Sequence, residues 1–339
     1  MSRNHKLSMM DHPFSKSTSS TEKCKRLWEV ISPDDSLAII INADPDSIAS
    51  ALALKRLVWR KVKKTSIYHL NTITRADNLA LIKLLKIKQQ PFRQIKRSEV
   101  SCWAIVDSQP THSEQLNDLR FDIIIDHHPL TQGIVAPFLD IKEDYGANST
   151  IMTEYLRAAR IKPSPRLATA LFYGIKTDTD NFVRPSTPSD INAFRYLYQF
   201  ANIGMIKKIE SSEMTRESLD SFRKALENLT FIKDKAFIHM GEVDNPDILV
   251  IIADFFLKMV EATWCIVSGV YEKNLVVILR NVGFRLDAGK KASKLFGRWG
   301  SAGGHKTAAR AEIPIHKIRP PLKGESAVKE FVLAKIKGM

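Results

Sequence analysis

Acidic and histidine side chains follow three separate apolar runs of the sequence, at the point where each run ends. LAIII (37–41) leads into Asn42-Ala43-Asp44-Pro45-Asp46, WAIV (103–106) into Asp107, and FDIII (121–125) into Asp126-His127-His128. Carboxylates that gather in one place repel each other unless a cation compensates their charge. Carboxylate oxygens with one or two imidazoles suit Mn²⁺ or Mg²⁺ rather than a metal that prefers thiolates. The sequence therefore predicts a site for one or two divalent ions.

Two further features favour this site. Proline restricts the residue before it to extended geometry, and side chains at i and i+2 of an extended segment point the same way. Asp44 and Asp46 can therefore address neighbouring metal ions. A fourth acid, Asp178, ends an apolar helical stretch (167–177) and can reach the same crevice. By itself, an Asp-Pro-Asp sequence is more often a turn that caps a helix.

The elements that must position these residues are predicted by the apolar pattern. Short apolar runs at 37–41, 66–70, 103–106 and 121–125 indicate strands, and helical periods at 47–62 and 78–87 alternate with them. This alternation predicts an α/β domain with a mostly parallel sheet and flanking helices. The carboxyl ends of such strands face one crevice, where ligands bind. Trp59 and Trp103 fall on core positions of the pattern.

Composition sets the class of protein. The chain has 339 residues, 51 Lys and Arg against 37 Asp and Glu, and a net charge of +14, which favours polyanionic partners. Its three cysteines lie far apart, which argues against a disulfide framework or a zinc ribbon. No secretory signal and no run of eighteen apolar residues is present, so we expect a cytoplasmic, soluble chain with no membrane partner.

Two domains are expected from the length. We predict a disordered tail (1–21), a catalytic domain (22–200), a helical connector (201–228), a smaller α+β substrate-binding domain (229–325) and a C-terminal helix (326–339). The active-site cleft is expected between the two domains, and whether the chain forms a homodimer is left open.

The second domain contains a glycine-rich segment within basic sequence. Residues 292–315 predict a helix, a glycine loop, a second helix and a strand, and the loop holds Gly303 and Gly304. Glycines let backbone N–H groups approach a phosphate, and a helix start adds a positive end. The surrounding basic residues are Arg280, Arg285, Lys290, Lys291, Lys294, Arg298, Lys306 and Arg310. Arg298 and Trp299 either clamp a nucleobase or belong to the core.

Taken together, these motifs resemble those of the DHH phosphoesterase family. The Asp-His-His motif that gives the family its name is Asp126-His127-His128 here. The segment 44–50 matches its D-x-D-x-x-x-S element, AIVDSQP (104–110) its single-aspartate strand and GIKTDTDNF (174–182) its late acidic motif. Gly303-Gly304-His305 and Arg280 match the DHH-associated C-terminal domain. The resemblance covers about residues 35–315. Its nearest branch is the two-domain type that degrades very short oligoribonucleotides (nano-RNase) and 3′,5′-bisphosphate nucleotides.

The resemblance implies roles for individual residues. One metal would be held by Asp46, Asp107, His127 and Asp178, and the other by Asp44 and the bridging Asp107. The family's histidine four residues before the first acid is replaced by Ile40, so that site is weak, uses water or Asn42, or is lost. Asp180 stands where the family often has a smaller residue, and its role is left open. Substrate would contact Arg280, Gly303, Gly304, His305 and Arg298.

The resulting prediction is hydrolysis of a phosphoester by metal-activated water. His128 would contact the phosphoryl oxygens or protonate the leaving group, and Asp126 would orient a histidine. Alternatives are hydrolysis of cyclic or linear dinucleotides, and a catalytically weak nucleotide- or RNA-binding protein that has lost turnover with the histidine at position 40. The segment GSAGGHKTAA (300–309) argues against a pyrophosphatase.

Overall fold

The chain divides into two compact units, Met1–Ser212 and Glu213–Met339. The computed structural model describes residues 9–10, 12–211, 216–283, 286–318, 321 and 324–339. Arg285, predicted to belong to the basic segment, lies outside these residues. The first unit is built on a parallel sheet and the second on a mixed sheet, which confirms the predicted fold class.

The first unit alternates strands with helices. Its strands are β1 (Ser36–Ile41), β2 (Lys64–His69), β3 (Gln90–Pro91), β4 (Cys102–Val106), β5 (Ile123–Asp126) and β6 (Phe138–Ile141). Its helices are α1 (Ser20–Val30), α2 (Pro45–Leu57), α3 (Ala76–Leu84), α4 (Asn148–Ala158), α5 (Pro165–Asp178), α6 (Pro188–Tyr198) and α7 (Ile203–Glu210). All strand pairs are parallel, in the order β3-β2-β1-β4-β5-β6.

Alternating side chains of the central strands enter two apolar clusters on opposite faces of the sheet. Ile39 and Ile41 belong to the larger cluster, which α2, α4 and α5 also supply. Ala38 and Ile40 belong to the smaller one. Because both faces are covered, these strands read as continuous apolar runs, which is typical of parallel sheets.

Residues near the N-terminus pack onto the first unit, whereas the sequence predicts disorder as far as residue 21. The ring of Phe14 lies 5.1 Å from that of Phe138 on β6. Lys23, at 2% exposure, donates to the buried Asp140 at 2.5 Å, and Tyr155 donates to the same carboxylate. A buried ammonium needs such a partner, because an unpaired charge is costly to bury.

The second unit packs helices against a six-stranded sheet. Its strands are β7 (Thr230–Ile232), β8 (Lys235–Glu242), β9 (Trp264–Tyr271), β10 (Asn274–Asn281), β11 (Ser301–Gly304) and β12 (Ala308–Pro314). Its helices are α8 (Arg216–Asn228), α9 (Asp247–Phe256), α10 (Ala288–Phe296) and α11 (Gly324–Lys337). The strand order is β11-β12-β10-β9-β8-β7, and only β8 and β9 pair in parallel. Among the helices described in both units, none is long and apolar enough to cross a bilayer.

Two local predictions are wrong. The glycine segment is followed by strand β12 instead of a helix, since Ala309, Ala311 and Ile313 alternate into the core. Trp59 is 56% exposed, because α2 ends at Leu57 and the helical period stops before it. Trp103 is partly buried against the smaller cluster of the first unit.

His239 on β8 makes the second unit sensitive to acid. It is 2% exposed, its Nδ1 lies 2.9 Å from Ser268 Oγ, and desolvation lowers its pKa to about 4. Below pH 6.5 the unfolded chain therefore takes up a proton that the folded chain refuses. We expect the free energy of unfolding, measured in urea, to fall by about 2 kcal/mol between pH 7 and pH 5 from this residue. His239→Gln should flatten that dependence, and an unchanged slope would contradict the assignment.

Candidate metal centre

The strand order places the predicted residues at one edge of the first sheet. From β1 the chain adds strands first on one side (β2, β3) and then on the other (β4, β5, β6), so the strand order reverses between β1 and β4. In open α/β sheets, ligands bind in the crevice outside the carboxyl ends of the strands at such a reversal. A cavity of about 280 Å³ opens there. Its lining includes Asn42, Asp44, Asn71, Asp107, His112 and His128.

His127 occupies the centre of the acidic cluster. It directly follows β5, and its Nδ1 lies 3.0 Å from the carbonyl oxygen of Tyr145. Because a carbonyl can only accept, Nδ1 keeps its proton, and Nε2 is the nitrogen that gains or loses one; its lone pair is free only when the ring is neutral. That Nε2 lies 3.0 Å from Asp178 Oδ2 and 3.3 Å from Asp107 Oδ1. Desolvation opposes the charged ring, but these two carboxylates outweigh it and raise the pKa of His127 to about 12.

Asp46 is held by the start of α4. It is 1% exposed, and its two oxygens accept the backbone N–H groups of Asn148 at 2.6 Å and Ser149 at 2.8 Å. Burial and the nearby Asp178 raise the pKa of Asp46 to about 7. One carboxylate oxygen of Asp46, His127 Nε2 and one oxygen of Asp178 converge within 4.8 Å.

Asp107 lies between the two halves of the predicted site. Its backbone has a φ of 57°, a left-handed conformation that ends β4 and is unusual for a residue other than glycine. The side chain is 7% exposed, and desolvation together with Asp46 and Asp44 raises its pKa well above the usual range. The folded chain thus crowds negative charge here, as expected where a cation is to bind.

The residues present fit a divalent cation. Asp107 Oδ1 and His127 Nε2 are among the buried polar atoms that have no partner with hydrogen-bond geometry, although they lie within ion-pair distance of each other. An oxygen and a nitrogen without hydrogen-bond partners are suited to coordinate a metal ion. Asp46 and Asp178 supply two further carboxylates. The orientation of His127 through Nδ1 is the support that metal-bound histidines usually receive.

Asp44 caps α2 and also lines the cavity. Its carboxylate accepts from Ser47 N at 2.8 Å, while the Ser47 hydroxyl accepts from Asp44 N. The helix-cap and cavity interpretations of the Asp-Pro-Asp sequence are thus compatible. Displacement of water by the surrounding protein, and the charge of Asp178, raise the pKa of Asp44.

Position 40 offers no ligand. Ile40 is fully buried in the smaller apolar cluster, between Tyr68 of β2 and Ile105 of β4. The amides of Asn42 and Asn71 line the cavity beside Asp44 instead, and Asn71 also accepts from Ala43 N at 2.6 Å. Asn42 therefore remains available for the role predicted for it.

Asp126 orients His128, whose ring lies with Asp107 and His127 in a second group of side chains with ligand atoms within 4.8 Å of one another. The Asp126 carboxylate is fully buried and lies 2.8 Å from His128 Nδ1. The same carboxylate accepts from the side-chain amide of Gln109 at 2.7 Å. Desolvation works against its charge, but His128 and Gln109 outweigh that effect and hold the pKa of Asp126 below its usual value. The bond to Asp126 in turn raises the pKa of His128, whose side chain is 46% exposed beside Asp107.

Three residues near the site lie outside the ligand set that the sequence predicts. Gln109 also accepts from Thr131 N at 2.8 Å and so ties two loops together. Arg184 donates to the carbonyl oxygen of Asp178 at 3.1 Å, and only its basic character marks it in the sequence. Asp180 is exposed with a φ of 48°, and it belongs neither to the group of Asp46, His127 and Asp178 nor to that of Asp107, His127 and His128.

The predicted substrate-binding residues lie in the second unit. Arg280 on β10 donates to Asp254 at 2.6 Å, so its charge is already paired. Gly303 and Gly304 lie in β11 rather than in an open loop. The first amides of α10 are used by the chain itself, since Ala288 and Gly289 donate to the carbonyls of Lys306 and His305. The helix start that the sequence predicts after the glycines is not formed, because strand β12 occupies residues 308–314.

The sequence leaves open whether Arg298 and Trp299 clamp a nucleobase or belong to the core, and the structure separates the two residues. Trp299 is 9% exposed and packs edge-on against Phe331, as a core residue does. The exposed Arg298 lies over its ring at 4.6 Å. Arg298 therefore offers its charge to solvent, while the indole is not available for stacking on a base.

Comparison with known proteins identifies the first unit. Residues 36–175 match the model of the DHH family, N-terminal domain. The chain is 36% identical over 300 residues to the uncharacterized protein MJ1633 of Methanocaldococcus jannaschii, over 87% of this chain and 62% of that protein. It is 28% identical over 203 residues to the A-adding tRNA nucleotidyltransferase of Aquifex aeolicus, over 56% of this chain and 23% of that enzyme.

The fold has a counterpart among solved structures. An exopolyphosphatase-related protein from Bacteroides fragilis superposes with a TM-score of 0.73 at 16% identity, covering 96% of this chain and 98% of that one. This likeness shows the fold of both units. The chain spans less than two thirds of the length of the curated relatives described above.

Proposed function

We propose that this protein hydrolyses phosphoester bonds with a divalent cation, Mn²⁺ or Mg²⁺. Its proposed substrates are short oligoribonucleotides or nucleotide bisphosphates. The observation that carries the proposal is the position of His127 Nε2, 3.0 Å from Asp178 and 3.3 Å from Asp107 at the ligand-binding edge of the sheet. The match of residues 36–175 to the DHH family supports the same chemistry, because the phosphoesterases that the sequence motifs resemble act on phosphoester bonds.

The ligands divide between two positions. Asp46, Asp107, His127 and Asp178 would hold one cation, and Asp44 with Asp107 would hold a second. A bound divalent cation activates water and neutralises charge that develops on a phosphoryl group. The chain prepares for this by fixing Asp46 on two backbone amides and His127 on the Tyr145 carbonyl, so that little reorganisation is needed.

His128 supplies the proton. Its Nδ1 is bonded to the ionised Asp126, which favours the doubly protonated ring and leaves a proton on the partly exposed Nε2. In the same cavity as Asp44 and Asp107, Nε2 can pass this proton to the departing oxygen of the substrate. Asp126 acts as a positioning residue through His128.

The substrate class follows from charge and size. A net charge of +14 favours polyanions, and exposed cations of the second unit include Lys290, Lys294, Arg298 and Lys306. The cavity beside the metal ligands has a volume of about 280 Å³, which is near the lower end for small-molecule sites and suits one nucleotide. We therefore propose that one terminal nucleotide at a time occupies the site.

A length series tests this substrate proposal. With Mn²⁺ and saturating substrate, we expect kcat for di- to pentaribonucleotides to equal or exceed that for a twenty-mer, because residues beyond the first few do not enter the site. Products should be resolved by gel or chromatography. His305→Ala and Arg298→Ala should raise KM for these oligomers more than for a nitrophenyl phosphodiester.

Faster processive decay of the twenty-mer at saturation would contradict the short-substrate proposal while leaving phosphoester hydrolysis intact. Preferential hydrolysis of a cyclic dinucleotide would replace the substrate class. No release of phosphate or nucleotide from any of these substrates with Mn²⁺ or Mg²⁺ would favour a nucleotide-binding protein without turnover.

A further inference from the structure

A basic and aromatic surface lies where α2 ends. Six of the ten residues from 55 to 64 are Lys or Arg, and the segment contains no acid. Trp59, at 56% exposure, is the one exposed tryptophan of the five in the chain, all of which the structure describes. We call this surface the Trp59 patch, and it comprises Arg56, Trp59, Arg60, Lys61, Lys63 and Lys64.

The side chains of the patch are arranged around indole rings. The Arg56 and Arg60 guanidinium groups lie 5.1 and 4.3 Å from the ring centre of Trp59. Lys61 Nζ lies 4.1 Å from the ring centre of Trp28 on α1. Cations at these distances are attracted by the faces of aromatic rings. The chain therefore holds charge beside an indole that still has more than half of its surface open.

The cations of the patch are not neutralised within the chain. In the described ranges, none of the side chains of Arg56, Arg60, Lys61, Lys63 and Lys64 forms an ion pair with a carboxylate, whereas Arg75, Lys96, Arg223 and Arg280 each do. Lys55 is separate, since it donates to the Thr65 carbonyl at 3.0 Å. Five unpaired cations beside an exposed aromatic ring indicate an anionic partner with flat apolar groups.

The patch is remote from the metal centre. Asp44 and Asp46 stand at the first residues of α2, and the patch begins at its last turn. With a rise of 1.5 Å per residue, the thirteen residues of α2 separate the two by about 20 Å. A ligand on the patch therefore does not occupy the catalytic cavity.

We propose that the Trp59 patch is a docking surface for single-stranded nucleic acid, distinct from the site of hydrolysis. One base stacks on the open part of the Trp59 ring, and the flanking phosphates contact Arg60, Lys61 and Lys63. Single strands suit this surface because their bases are free to stack, whereas a duplex keeps them paired. The proposal concerns binding alone and does not rest on the proposed function.

An anionic membrane fits the patch less well. A tryptophan anchors in a bilayer when its apolar body enters the interface, but two guanidinium groups flank this ring and would have to lose water with it. The surrounding segment also lacks the run of apolar side chains that an interfacial helix buries, since α2 ends before Trp59.

Binding of a fluorescein-labelled twelve-residue oligouridylate, followed by anisotropy in EDTA, tests the proposal without turnover. Trp59→Ala should weaken binding about tenfold, the usual loss for a stacked base, and Trp59→Phe should retain most of the affinity. Lys61→Glu with Lys63→Glu should weaken binding and reduce the slope of log K against log salt by about 1.4, or about 0.7 for each phosphate contact.

The matched control is Lys83→Glu with Lys88→Glu, which makes the same charge change on two exposed lysines of the same unit. It should bind within twofold of wild type. Affinities of Trp59→Ala and of the Lys61 and Lys63 double variant within twofold of wild type, or an equal loss in the control, would overturn the proposal. Trp59-dependent binding of phosphatidylserine vesicles without binding of the oligouridylate would overturn it in favour of a membrane.

Discussion

Asp107→Asn should abolish turnover while leaving the fold intact. The substitution keeps the shape of the side chain but removes the charge that lies 3.3 Å from His127 Nε2 and would contact both cations. We expect kcat with Mn²⁺ to fall by about 10³-fold or more, the scale on which loss of one charge-stabilising group affects an enzyme. Calorimetric titration should show a matching loss of Mn²⁺ affinity.

The same variant should be as stable as wild type, or more stable, when no metal is present. Burial and the neighbouring Asp46 and Asp44 disfavour the ionised form of Asp107 in the folded chain, and a neutral amide removes that penalty. Thermal unfolding in EDTA measures this, with Asp118→Asn on the exposed surface as the control. Unchanged turnover in Asp107→Asn would contradict the proposed metal site, and a collapse of Tm would assign the residue a structural role.

His128→Gln should separate proton donation from metal binding. Glutamine cannot transfer a proton, so we expect kcat with a ribonucleotide substrate to fall by about 10²- to 10⁴-fold, the usual contribution of a general acid. A nitrophenyl ester should lose far less, because its leaving group departs without protonation. Mn²⁺ affinity should stay close to that of wild type.

Asp126→Asn provides the paired measurement for the positioning role. It removes the ionised partner of His128 Nδ1, so the ring is less readily protonated and less firmly held. We expect a smaller fall than in His128→Gln, with the same dependence on the leaving group. An equal loss on the ribonucleotide and the nitrophenyl ester in both variants would show that neither residue serves proton transfer.

The acidic edge of the sheet could be predicted because it depends on local signals. The apolar runs at 37–41, 103–106 and 121–125 are strands buried on both faces, and a parallel sheet brings their carboxyl ends together. The position of Asp178 at the end of a helix is predictable too, since the apolar period of α5 runs up to it. The structure adds the contacts among these residues.

Other features depend on tertiary contacts that no local pattern contains. Gln109 is fully buried and joins Asp126 to the loop at Thr131, but a glutamine after a strand gives no sign of this. The four-residue strand β6 is too short to stand out, although it carries Asp140. The helical period predicts a core position for Trp59, but the helix ends two residues earlier, at Leu57. The alternation of Ala309, Ala311 and Ile313 is typical of a strand, although the preceding glycine motif favours the prediction of a helix there.

The most direct test of the metal centre is an anomalous difference map from crystals grown with Mn²⁺, recorded on both sides of the manganese absorption edge. The structure predicts a peak among Asp46, Asp107, His127 and Asp178, with a second peak beside Asp44 if that position is filled. The peak between Asp107 and His127 should be absent in Asp107→Asn. A map from active protein with no manganese at this edge of the sheet would contradict the account.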